Sequence, residues 1–350
     1  MTPTHRARPR LRFGARLDPD ATAPLLRIAQ DADRYGLDLL GIRDLPHRRG
    51  TADALTLLAA VLTGTSRIRA LPAVACLPLR PPAALAKAIA TMDLLSGGRV
   101  ELGLGAGADP AGIEAYGGVR PGGLGALRAV EEAVRLIRLH WSDQAGLHIE
   151  GAHYRFAAPD AGPRPRRTIG IWLGVTGPRG IDLAGRLADG WIVPSSRVPP
   201  KRLADGRRRF DDAAAQAGRD PDTLRRVYIL EGSLDGPDSQ GFLHGPPRQW
   251  VYELTELAIG HGVDTFLYAG DPANLPVFAM EVVPAVREKM AEEKKGLGSP
   301  QGEVSPQGEM SIQEGDPLEP PSGLAGPFPD PLAHLGETAS NPPGRATSGR

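Results

Sequence analysis

Two glycine-rich segments carry the residue patterns with chemical potential. The first is Asp93-Leu-Leu-Ser-Gly-Gly-Arg-Val-Glu-Leu-Gly-Leu-Gly-Ala-Gly107. Its Ser96-Gly97-Gly98 stop predicts a helix closed by a left-handed glycine cap, followed by a strand over 99–104. Gly103, Gly105 and Gly107 leave bare backbone at that strand's C-terminal end. A flat ring or a phosphate can approach such backbone closely, although the same glycines also suit plain strand packing. Gly103 to Ala108 fits the dinucleotide fingerprint Gly-x-Gly-x-x-Ala. Against that reading, Asp109-Pro110 is expected to break the helix the fingerprint needs, and no acidic residue closes a second strand about 20 residues on. The second segment runs from Ile169 to Trp191 and contains Thr176-Gly177-Pro178-Arg179-Gly180 between a strand and a helix. Amides at a helix N-terminus, with the macrodipole behind them, make an anion site to which Arg179 would add charge; an ordinary turn is the alternative.

Other chemistries leave no trace. The eight histidines form no zinc spacing, and neither a Gly-x-Ser-x-Gly elbow nor a P-loop occurs. Lys+Arg and Asp+Glu number 41 each, so there is no chain-wide basic field for nucleic acid or anionic membrane. Cys76 is the single cysteine, which excludes an intramolecular disulfide. No apolar run reaches the ~18 residues of a membrane span, and the basic N-terminus lacks the apolar stretch of a secretory signal. A cytoplasmic protein is expected.

The elements that must hold these segments alternate along the chain. Strands are expected at 11–16, 37–42, 68–77, 99–104, 169–174, 190–193, 225–232 and 263–268. Helices are expected at 22–35, 52–63, 82–95, 124–140, 177–187, 199–217, 247–261 and 274–290. Eight strand-then-helix units over this length predict α/β architecture with a parallel sheet, closed as a (β/α)8 TIM barrel of the usual ~250-residue size. A doubly wound open sheet is the alternative. Leu147–Glu150 and His153–Phe156 around Gly151-Ala152 predict a small β-hairpin insertion. The domain reading is a flexible arm at 1–10, the barrel at 11–291 and a disordered Pro/Gly-rich tail at 292–350. That tail contains a tandem Ser-Pro-Gln-Gly-Glu and too few apolar residues to offset ordering entropy. The four tryptophans are read as packing anchors, and the loop at 235–247 either covers the substrate or is a solvated connector. Catalytic groups of such a barrel lie at the C-terminal ends of its strands.

In this order and separation, Leu-Ser-Gly-Gly-Arg before Gly-x-Gly-x-Gly, the Gly177-Pro178 turn before Ala188-Asp189-Gly190-Trp191, and Leu77-Pro-Leu-Arg-Pro-Pro82 resemble the bacterial luciferase-like monooxygenase family. That family contains FMN-dependent monooxygenases and coenzyme F420-dependent oxidoreductases, and the resemblance covers roughly 11–290. It implies hydride transfer between bound coenzyme F420 and a small organic molecule, with FMN as the alternative cofactor, and it leaves a homodimer open. It also implies a bulge in the third strand, often with a non-prolyl cis peptide, that supports the ring near Val74, Ala75 and Cys76. Cys76 either lines that pocket or is a small buried hydrophobe. Ala106 and Gly107 match ring contacts, and Thr176, Gly177, Gly180 and Ile181 match the phosphate site. Where F420 enzymes of the family place Asp-His after the second strand, this chain has Asp44-Leu45. Asp44 remains a candidate cofactor contact, and His47 is the candidate replacement for the missing histidine. The glutamate base of sugar-phosphate-oxidising members corresponds to Ala108, with Asp109 beside it. These losses speak against a sugar-phosphate dehydrogenase and keep open a barrel that binds flavin without catalysis.

Overall fold

The computed structural model describes residues 9–158 and 162–297. Its strands are β1 (Arg12–Leu17), β2 (Leu39–Ile42), β3 (Arg69–Pro72), β4 (Ala75–Cys76), β5 (Leu102–Gly105), β6 (Leu147–Glu150), β7 (Arg155–Ala158), β8 (Ile171–Gly174), β9 (Gly190–Pro194), β10 (Arg225–Leu230) and β11 (Thr265–Tyr268). Its helices are α1 (Leu25–Arg34), α2 (Ala54–Gly64), α3 (Pro82–Leu95), α4 (Pro110–Ala115), α5 (Gly123–His140), α6 (Pro178–Leu187), α7 (Pro200–Gln216), α8 (Pro247–His261), α9 (Leu275–Val277) and α10 (Val283–Leu297). A π-helical stretch at Phe278–Val282 joins the last two.

Nine parallel strands run in the order β3-β2-β1-β11-β10-β9-β8-β5-β4. The two ends of this order are halves of one strand. β3 pairs with β2, from Arg69 against Leu39 to Pro72 against Ile42, and β4 pairs with β5, Ala75 against Leu104 and Cys76 against Gly105. A bridge between Ala70 and Val100 continues the second pairing. The sheet therefore closes into the expected eight-position barrel, with its third strand broken. Strands buried on both faces read as near-continuous apolar runs, and β2, β5 and β11 are fully buried. Alternate residues face opposite ways. Leu39, Leu71, Trp172, Ile192, Val227, Ile229 and Leu267 form one cluster inside the barrel, while Leu40, Ile42, Leu104 and Ile171 pack with the helices.

Four local expectations need correction. The strand read over 68–77 is two, β3 and β4, parted at a cis peptide between Ala73 and Val74, where the family resemblance implied a bulge. Asp109-Pro110 does not break a helix but starts one: the Asp109 carboxylate caps Gly112 N–H at 3.1 Å, and Pro110 takes the first helical position, where its missing N–H costs nothing. The insertion hairpin pairs Glu150 with Arg155, so its connection is Gly151–Tyr154 rather than Gly151-Ala152. The wider loop forms because Glu132 of α5 accepts the amides of Ala152, His153 and Tyr154. Finally, α10 continues through Leu297, past the expected start of the tail at Glu292. The rest of that tail, like the arm up to residue 8, lies outside the described residues. The tryptophans do pack: Trp172, Trp191 and Trp250 are fully buried.

The conspicuous motifs of the sequence are anchors. Gly97 and Gly98 take positive φ after α3, as a left-handed stop requires. Arg99 then turns its guanidinium onto the frayed end of α2, donating to Thr65 Oγ1 at 3.1 Å, Thr65 O at 3.1 Å and Ile68 O at 3.0 Å. Asp189 accepts Ile171 N–H at 2.8 Å, and the Trp191 indole N–H holds the Val175 carbonyl at 2.8 Å, just before the predicted phosphate turn.

Asp33 ties α1 to the start of β3. Its carboxylate accepts the amides of Ser66, Arg67 and Ile68 at 2.9, 3.1 and 2.8 Å. Desolvation pushes this carboxyl up, but the three amides and the Ser66 hydroxyl outweigh it and hold it below the usual carboxylate range. A depressed pKa stabilises the fold above the unfolded-state value, and that stabilisation is lost as pH falls through the folded value. We predict that Asp33→Ala lowers the unfolding free energy by about 2 kcal/mol at pH 7, because it strands buried donors. In urea titrations the gap between wild type and variant should shrink below about pH 4; an equal gap at pH 7 and pH 3 would count against the carboxylate's charge.

Candidate active site at the C-terminal mouth of the barrel

A cleft of about 1110 Å³ opens where the strands end. One wall is built from β4, β5 and β8 and the segments that follow them: Val74, Ala75, Cys76, Gly105, Ala106, Gly107, Gly174, Thr176, Gly177 and Gly180 all line it. The opposite wall carries charge, from Arg16, Arg43, Ser196, Arg197 and Glu231. A shallower groove of about 810 Å³ lies outside the barrel between α5, α6 and α7, away from the strand ends.

The small-residue wall depends on Val74. A Cβ added to Gly103, Gly105 or Gly174 would lie 3.0, 2.6 or 3.0 Å from a Val74 methyl, and at Gly103 also 2.3 Å from the Pro72 carbonyl oxygen. Gly103 and Gly105 are therefore seats for Val74 and for the bend behind it, which is the packing reading of those glycines. Gly107 differs. It has φ +82° and shapes the turn under Pro78 and Ile113. The carbonyls of Ala106 and Gly107 both accept from Arg120 Nε, at 3.1 and 2.8 Å. Arg120 reaches no carboxylate among the described residues, so it brings an uncompensated cation to the cleft. Nothing in the sequence flagged it.

Asp44 stands at the junction of wall and core. Its side chain is fully buried, and its oxygens accept Cys76 N–H at 2.9 Å and the Arg80 guanidinium at 2.8 and 3.2 Å. Arg80 also bonds Asp53. Asp44 lines the cleft at this junction, with its oxygens engaged in holding β4 and the turn after it. Cys76 is 5 % exposed, and desolvation, then the charge of Asp44, pushes its thiol up to about 11. It is a neutral, small side chain at physiological pH, buried in the wall and lining the cleft, so its two readings meet in one residue.

At the other end of the wall, Gly177 caps α6 and Pro178 opens it. Added methyl space at Gly177 meets nothing within 4 Å, whereas Gly180 is packed 2.9 Å from Val175 Cβ. The first-turn amides of a helix lack intrahelical partners and, with the dipole, attract an anion. Thr176, Gly177 and Arg179 are exposed here. Ile181 does not join them; it is buried in the core and does not line the cleft. It points inward because the buried stripe of α6 runs through Ile181, Ala184 and Gly185.

Leu45 lines the cleft where a histidine was sought, and so does Ala108. His47 has a side chain 4 % exposed, with Nε2 3.3 Å from an Asp109 oxygen. Neither ring nitrogen makes a hydrogen bond among the described residues. The loop at 235–247 contributes nothing to the cleft; Leu243 anchors it in the core, and its amide bonds Glu253 of α8. Arg16 and Glu231 were missed. Arg16 is the penultimate residue of β1 and Glu231 directly follows β10, so the rule that barrel chemistry sits at strand ends pointed to both.

Among the described residues no cluster of three or more His, Cys, Asp or Glu is placed to hold a metal, and no helix is long and apolar enough to cross a membrane.

The profile of the luciferase-like monooxygenase family matches residues 5–235. An F420-dependent glucose-6-phosphate dehydrogenase of Nakamurella multipartita is 30% identical over 247 residues, which is 67% of this chain and 70% of that protein. A 5,10-methylenetetrahydromethanopterin reductase of Archaeoglobus fulgidus is 31% identical over 231 residues, 64% of this chain and 65% of its own. In fold, an F420-dependent secondary alcohol dehydrogenase superposes with a TM-score of 0.72 at 19% identity, covering 80% of this chain and 100% of that one. The EDTA monooxygenase of a Chelativorans species superposes at 0.69 with 16% identity, covering 80% and 94%.

The geometry of the wall yields a direct test. Gly105→Ala should lower the unfolding free energy by about 1–3 kcal/mol through overpacking against Val74. Gly177→Ala, in open space, should leave it unchanged. The Gly105→Ala loss should be partly restored by adding Val74→Ala. A Gly105→Ala protein as stable as wild type in chemical denaturation would refute the seat.

Proposed function

The chain belongs to the luciferase-like monooxygenase family, and on that premise we propose that it is an F420-dependent oxidoreductase acting on a small organic molecule. The observation that carries this reading is the continuous wall from Val74 to Gly107 to Gly177. It is small-residued at one end and open to an anion at the other, in a chain about 30% identical to F420-dependent glucose-6-phosphate dehydrogenases. The residues present fit such a cofactor. Val74, Ala75, Cys76, Ala106 and Gly107 would lie against the ring; Thr176, Gly177 and Arg179 would hold the phosphate, with Arg120 adding charge.

When bound, F420 supplies a hydride donor or acceptor. The protein's own part is to orient, to exclude water and to move a proton. We assign the proton to His47, backed by Asp109: a buried imidazole beside a carboxylate can pass a proton to or from a bound substrate. Asp44 is a positioning residue in this scheme, acting through Cys76 N–H and Arg80.

Fluorescence titration of the purified protein with oxidised F420 and with FMN tests the reading. F420 is expected to bind more tightly; failure of both to bind a folded sample would sink it, and preference for FMN would favour a monooxygenase. Gly177→Asp places a negative charge at the proposed phosphate position while supplying a good helix cap, so it should weaken F420 about tenfold, roughly 1.4 kcal/mol, without loss of stability. Separately, His47→Gln should reduce turnover with reduced F420 by about 100-fold and leave F420 affinity unchanged. Binding with no turnover by any acceptor, in wild type and variant alike, would point to a non-catalytic barrel.

A further inference from the structure

The wall opposite the glycines is built and charged, and the cofactor reading does not use it. β1 and β8 lie four positions apart in the eight-position barrel, so Arg16 faces the α6 end across the mouth. Its side chain is 9% exposed. One guanidinium nitrogen donates to Glu231 Oε1 at 3.0 Å, another lies 3.8 Å from Asp18, and Nε is buried with no acceptor. Arg43, just past β2, reaches Asp18 at 3.4 Å. Arg48 and Arg197 are exposed in the same cleft and reach no carboxylate among the described residues. Of these four guanidinium groups only Arg16 and Arg43 reach a carboxylate, that of Asp18 or Glu231. Glu231 also accepts the Ser196 hydroxyl. Desolvation raises its carboxyl, but Ser196, Arg16 and Arg43 outweigh that and keep it below the usual range, so it stays ionised.

A buried donor without an acceptor is costly unless a partner arrives, and uncompensated cations at a cleft mouth concentrate anions there. We propose that this arc is the substrate-recognition wall and that it takes a small molecule carrying a carboxylate or phosphate group. The oxyanion would be held by Arg43, Arg48 and Arg197 over the buried Arg16. Glu231 would accept a hydroxyl or amine of the same molecule. The inference rests on the cleft being the cofactor cleft, with the anion position at α6 filled by the cofactor itself.

The test uses protein saturated with F420, titrated calorimetrically with inorganic phosphate and, in parallel, with acetate. Wild type should bind at least one probe saturably, with affinity falling as salt is raised. The double variant Arg43→Met/Arg197→Met should lose at least tenfold in that affinity while its F420 affinity stays within about twofold. Arg186→Met, in the outer groove, should change neither. The stronger probe identifies the oxyanion. No saturable binding of either probe, or equal binding by wild type and double variant, overturns the proposal. If F420 does not bind at all, the cofactor reading fails on its own. The difference between wild type and double variant, measured on the ligand-free protein, still decides the charged wall.

Discussion

The strand that closes the barrel pairs with β2 through Arg69–Pro72 and with β5 through Ala75–Cys76. Between the two halves, Val74 turns its side chain onto Gly103, Gly105 and Gly174. Interiors this dense leave no room for a methyl group on both sides of such a contact. The glycines of β5 and β8 are therefore the complement of one valine, on the strand next to β5 and two from β8. Asp44 locks the bend from behind, taking Cys76 N–H and Arg80 at full burial. With a carboxylate so engaged, the backbone that faces the cleft is held by charge-assisted bonds rather than by local preference.

From this closure follows the asymmetry of the mouth. On the β4–β5–β8 side small residues and bare backbone make a smooth surface ending at the α6 N-terminus. On the β2–β1–β10–β9 side longer polar side chains project. The hydride transfer we propose would use this division, since a planar reactant must rest on one face while the other partner is oriented and dried on the other. The pair to which we assign the proton, His47 with Asp109, lies on the loops after β2 and β5. It stands beside Leu45 and Ala108, the two positions at which the family resemblance left a gap.

Legibility in the sequence followed the range of the interaction. α3 and α8 were read to the residue, because prolines at the first helical position and a local stop mark both ends. The barrel was readable from eight repeats of strand and helix. The break in the third strand was not readable as periodicity, and it was anticipated only through resemblance. α4 was misread because Asp-Pro is ambiguous between breaker and start until the carboxylate is seen on Gly112 N–H. The Ser-Gly-Gly-Arg and Ala-Asp-Gly-Trp motifs were visible at once. Their work is to anchor helix ends and turns, and they lie next to the functional surface without forming it.

The α/β barrel, the family and the stretches of chain that make the small-residue wall of the cleft were legible in the sequence alone, because these are written in local periodicity, turn residues and contiguous motifs. Only the tertiary structure decided which glycines seat Val74 and which stand open, that Asp44 is occupied, that Ile181 faces the core, and that His47 meets Asp109. It alone brought together Arg16 and Glu231, which are 215 residues apart in the chain. The reason is physical: apart from Ile181, which the buried stripe of α6 turns inward, these are contacts between segments far apart in the chain that the barrel brings together, and a pattern confined to neighbouring residues holds no information about them.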